Sequence, residues 1–64
     1  MHMRDFIEII PVGTDTCTMI NVKHIIRVQD NNETSLITLN NGDKIEARLP
    51  YSVLRSILMR IEDD

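Results

Sequence analysis

The chain has 64 residues, a formal net charge of −3 and 42% hydrophobic residues, with no Trp, one Phe and one Tyr. That length makes one domain at most, a single β-rich unit over residues 1–64 whose core must come from Ile, Leu, Val and Met. A lone cysteine excludes an internal disulfide, no run nears the ~20 apolar residues of a membrane span, and the acidic balance argues against broad phosphate binding, which needs clustered Lys and Arg.

Met1-His2-Met3 reads as an appended segment, with Met3 the natural start. Residues 6–10 form the first predicted strand. Ile7 and Ile9 share one face, and Phe6, Glu8 and Ile10 the other. Apolar groups on both faces predict cover on both. Pro and Gly punctuate a turn over residues 11–15. Residues 16–22 form a second strand, rich in Thr, with Cys17 in mid-strand as a small buried hydrophobe. The third covers residues 24–29, with Ile26 and Val28 on one face and Ile25 and Arg27 on the other. A polar loop follows over residues 30–33.

Residues 36–39 and 44–49 then flank Asn41-Gly42. This dipeptide tolerates positive φ at both turn positions and predicts a type I′ hairpin. The second arm alternates cleanly: Ile45, Ala47 and Leu49 point inward, and Lys44, Glu46 and Arg48 point to water. A helix is predicted to begin near Pro50 or Tyr51, because Pro suits the first helical position. Val53, Leu54, Ile57, Leu58 and Ile61 recur at spacings of three and four and share a face. Ser52, Arg55, Ser56 and Arg60 lie opposite, with Met59 on the polar side. Glu62, Asp63 and Asp64 oppose the helix dipole, so the helix should fray there. The expected fold is mainly β (α+β): about five antiparallel strands, as a bent sheet or small barrel, with one C-terminal helix.

So short a chain buries only about 60% of its unfolded surface. Disulfides, metals or a partner usually compensate. Cys17, His24 and His2 lack the paired spacing of a zinc site. Oligomerisation remains, and the expected state is a homo-oligomer, first of all a homodimer.

Catalytic chemistry finds little footing. Cys17 with His24 could form a nucleophile–base pair, but a mid-strand thiol lacks the electropositive, partly exposed setting a reactive one needs. Asp5, Asp15, Asp30, Glu33, Asp43 and Glu46 fall in turns or on outward positions, as solvated carboxylates do. Glu8 sits between apolar neighbours and reads as a charge guarding an exposed edge. Residues 30–33 lack the spacing of a calcium loop, and Gly13 and Gly42 are isolated. The reading is a non-enzymatic protein with no catalytic, cofactor-binding or metal residues. Among basic residues, Lys23, Arg27, Lys44 and Arg48 would form a strip if the third and fifth strands were neighbours.

Ile20-Asn21-Val22, Ile25 and Val28, then residues 35–42 as a Ser-Leu-Ile-Thr-Leu-Asn-Asn-Gly hairpin, then a charged strand and a helix, resemble the FlbD/SwrD-like family of small flagellar and swarming accessory proteins. The resemblance covers roughly residues 6–58. Family members open the helix with a Ser and acidic residues, where this chain has Pro50-Tyr51-Ser52. The resemblance implies a cytoplasmic, non-enzymatic protein that acts through contacts.

The expected function is therefore binding to a protein partner, as an accessory or regulatory module. Arg27, Lys44, Glu46 and Arg48 on strands, with Arg55 and Met59 on the helix, are the expected contact residues. One alternative is a nucleic-acid-binding regulator using Lys23, Arg27, Lys44 and Arg48. Another is a phage-type inhibitor or small-ligand sequestering protein with a pocket at a subunit boundary. The lone thiol and the lack of an export signal point to the cytoplasm, with no membrane association.

Overall fold

Among the described residues five strands precede one helix: β1 (Phe6–Ile9), β2 (Thr18–Asn21), β3 (Ile25–Asn31), β4 (Thr34–Leu39), β5 (Lys44–Ala47) and α1 (Tyr51–Glu62). A 3₁₀ turn at Val22–His24 joins β2 to β3. The structure, a computed structural model, describes residues 5–62, with side chains to Arg60. Met1-His2-Met3, the inward face expected of Ile61 and the fraying expected at Asp63 and Asp64 lie outside the described residues, whereas Glu62, also expected to fray, is still helical.

All pairing is antiparallel. β1 pairs with β2, and β3, β4 and β5 form a second sheet in that order. The chain just beyond β1 joins the two. Pro11 bridges Ala47, Val12 N–H donates to Glu46 O (2.8 Å) and Arg48 N–H donates to Ile10 O (3.0 Å). The result is two sheets, β2-β1 and β5-β4-β3, joined at this one point into a bent layer. It is not a closed barrel, since β2 and β3 end the layer without pairing to each other.

The core is Ile7 and Ile9 of β1, Ile20 of β2, Ile37 of β4, Ala47 of β5 and Leu54 of α1. Period-two alternation explains the strand members, since each fills the concave face of the layer. Ile25, Val28, Leu39, Ile45, Leu49, Ile57 and Leu58 pack around them. α1 closes this face against β3 and β4. Ser35 is also fully buried there, and its hydroxyl donates to Leu49 O at 2.7 Å. That bond ties β4 to the segment leading into α1.

Four local expectations are corrected. First, a β-bulge lies between Ile25, which pairs with Leu39, and Arg27, which pairs with Thr38. The extra residue, Ile26, is turned out to 63% exposure, while Ile25 and Val28 both face the core. A bulge adds one residue and so inverts the alternation read across it. Second, the hairpin at Asn41-Gly42 is not type I′, because Asn41 lacks the positive φ which that turn requires. Its loop is the three residues Asn40-Asn41-Gly42, closed by Leu39 N–H to Asp43 O (2.8 Å) and Gly42 N–H to Leu39 O (3.0 Å). Only Gly42, at φ 95°, is left-handed there. The tight two-residue turn is instead Asn32-Glu33, where Asn32 takes φ 65° and its N–H bonds Asp30 Oδ1 (3.1 Å).

Third, Cys17 precedes β2 and is exposed. The strand is shorter than its β-prone composition suggests, because Thr14 and Thr16 bond locally in the preceding loop. Fourth, Val53 is 43% exposed. Leu54, Ile57 and Leu58 form the packed stripe of α1, and Val53 lies at its flank. No helix among the described residues is long and apolar enough to cross a membrane.

Candidate functional site

The convex face of β3, β4 and β5 gathers more of the expected contact residues than any other surface. Antiparallel register puts residues in rows across it. Arg27, Thr38 and Lys44 form the first row; Gln29, Leu36 and Glu46 form the second. Asn31 and Thr34 form the third, ahead of the Asn32-Glu33 turn. These residues share a face because Ser35 and Ile37, between them on β4, point into the core.

Charge is graded along this face. Arg27 and Lys44 flank Thr38 about 10 Å apart, two interstrand spacings. Glu46 occupies the next row, and Asp30 and Glu33 border the turn. Glu46 is half-buried rather than fully outward as alternation predicts. Its Oε2 accepts from Thr34 Oγ1 (2.8 Å) and Asn31 Nδ2 (3.1 Å), which pins the carboxylate across all three strands. Leu36, half-buried, is the apolar centre of the face.

The other expected residues lie elsewhere. β3 and β5 are separated by β4, so the proposed strip exists only as the pair Arg27 and Lys44. Lys23 sits by Asp5 (3.6 Å) and Arg48 by Asp15 (3.8 Å), with Asp5 half-buried and the other three exposed. The two bases lie at opposite ends of β1, about 16 Å apart by strand rise. Arg55 and Met59 are exposed on α1, which covers the concave side, so they look away from Arg27 and Lys44.

Cys17 and His24 flank opposite ends of β2 and do not form a pair. Cys17 instead lies beside Glu8, whose hydrogen bond and negative charge push the thiol above its ordinary range. These two, with Arg48 and Leu49, line a shallow hollow of about 260 Å³. Glu8 therefore lies beside a loop and a thiol, on a strand that pairs along its length with β2 alone. A groove of about 310 Å³ runs between β2 and the β4–β5 hairpin tip, with Met19, Ile20, His24, Leu39 and Ile45 in its walls. Sequence reading missed this groove, because its walls come from strands that only the folded layer brings together. Among the described residues no group of three or more His, Cys, Asp or Glu could hold a metal ion.

Compared with family models, with curated proteins and with solved structures, the chain matches none of them.

Proposed function

We propose that this is a small non-enzymatic accessory or regulatory protein of the cytoplasm that acts by protein–protein contact and assembles with copies of itself, a homodimer being the simplest form. The charge-graded convex face of β3, β4 and β5 carries this reading. A face that runs from Arg27 and Lys44 to Glu46, with Glu33 at the turn beyond it, about a central Leu36 is complementary to its own copy turned by a two-fold axis. Such an arrangement also selects partners by charge. Exposed Ile26 at 63% and Met19 at 49% add apolar surface at the two ends of the layer.

Size-exclusion chromatography with light scattering, over a wide concentration range, tests the assembly. The wild type is expected to gain mass with concentration, and Arg27→Glu/Lys44→Glu is expected to remain a single subunit. A wild type that stays monomeric throughout refutes self-association. Affinity capture from native lysate, compared between the same two proteins, tests the partner face; identical captures refute it.

The row of Arg27 and Lys44 supports a second reading, a nucleic-acid contact. Two phosphate contacts give a shallow salt dependence, a slope of about −2 in log K against log salt on duplex DNA. No shift of DNA or RNA at low ionic strength removes it.

A further inference from the structure

The Asn41-Gly42 loop contains the parts of a self-modification reaction. We propose that this dipeptide is a deamidation site held unreacted by the closed hairpin and released when the loop opens. The nucleophile would be Gly42 N. Glycine carries no side chain to shield it, and a Cβ built there meets nothing within 4 Å, so the loop tip is open to water. In the reaction Gly42 N gives its proton to a solvent base and bonds to Asn41 Cγ. The Cγ–Nδ2 bond breaks, and the amide nitrogen takes a proton back from solvent and leaves as ammonia. Water then opens the cyclic imide at one of its two carbonyls, leaving aspartate or isoaspartate.

The folded loop commits each reacting group elsewhere. Gly42 N–H donates to Leu39 O at 3.0 Å. Asn41 Oδ1 accepts from Asp43 N–H at 2.9 Å, and Asn41 Nδ2 donates to Asp43 Oδ2 at 3.2 Å. Attack requires the first bond to break and the side chain to leave the turn formed by the other two. Asp43 therefore braces the amide. The outcome matters because Lys44 follows at once, in the row of Arg27 and Thr38. Aspartate at residue 41 adds a negative charge beside that row. Isoaspartate adds a backbone methylene to a loop whose closure depends on its length.

The full chain is incubated at mildly alkaline pH, folded and in unfolding urea, and residue 41 is followed by peptide mapping and mass spectrometry. Conversion in the folded chain is expected to be slower by roughly tenfold or more, since hydrogen bonds of ordinary net strength must first be given up. Asp43→Ala, with its fold checked by circular dichroism, is expected to speed conversion of the folded chain severalfold. Equal rates folded and unfolded, or an Asp43→Ala rate equal to wild type, overturn the gating. No conversion at residue 41 in urea overturns the site itself. Asn32 and Asn40 are the internal references, because each precedes a residue with a side chain.

Discussion

Ser35→Ala removes one hydroxyl from the fully buried inner face of β4. Cavity loss is small, so the expected effect comes from the hydrogen bond to Leu49 O at 2.7 Å. Leaving that carbonyl without its partner in the folded state should cost about 1–3 kcal/mol. Stability of about 0.05–0.15 kcal/mol per residue gives a chain of this length only ~3–10 kcal/mol in total. The single hydroxyl thus carries a large share. For a domain of this size each kcal/mol shifts the melting midpoint by about 4–8 °C. Urea unfolding followed by circular dichroism reads both midpoint and slope. Ser52→Ala, on the exposed face of α1, is the control and should stay within about 0.5 kcal/mol of wild type. A Ser35→Ala loss below about 0.5 kcal/mol, with an unchanged slope, refutes the claim that this bond secures the approach to α1.

Leu54→Ala should cost about 2–5 kcal/mol, because Leu54 is fully buried and, among the described residues, is the one helix residue in the central cluster. Much of this variant should be unfolded at room temperature, and a cooperative wild-type-like melt would contradict the packing. Gly42→Ala forces an L side chain into φ 95°, at a cost of about 1–2 kcal/mol measured by the same unfolding assay, although the added methyl meets open space. Glu8→Ala removes the hydrogen bond and the charge that together hold the Cys17 thiol up, so thiolate forms at lower pH and alkylation at a fixed neutral pH should quicken. Unchanged alkylation kinetics would show that Glu8 does not control the thiol.

Local pattern in the sequence identifies the elements but not their joins. Ile45 and Ala47 alternate with Lys44 and Glu46, and one buried face makes such alternation readable; β5 follows it. Leu54, Ile57 and Leu58 recur at helical spacing, and α1 follows them. Ile26 misleads because a bulge leaves no mark in a run of Ile-Ile-Arg-Val. Asn41-Gly42 misleads because a glycine with positive φ serves both a two-residue and a three-residue loop, and Asn40 makes the longer one. Arg27 and Lys44 reach one row only through Thr38, and that adjacency is set by strand order. Glu46 reads as an outward charge, yet Thr34 and Asn31 are two strands' worth of context that no local window contains.

The whole of β1 pairs with β2, and the chain just past Ile9 goes on to bond the end of β5 around Ala47. The neighbour it needs on that side is synthesised long after it. During translation the early strands must wait with an apolar face uncovered until the final strand emerges. Non-local pairing of this kind slows folding and prolongs exposure to wrong partners. A ribosome-bound chain halted before β5 should therefore be the form most dependent on chaperones.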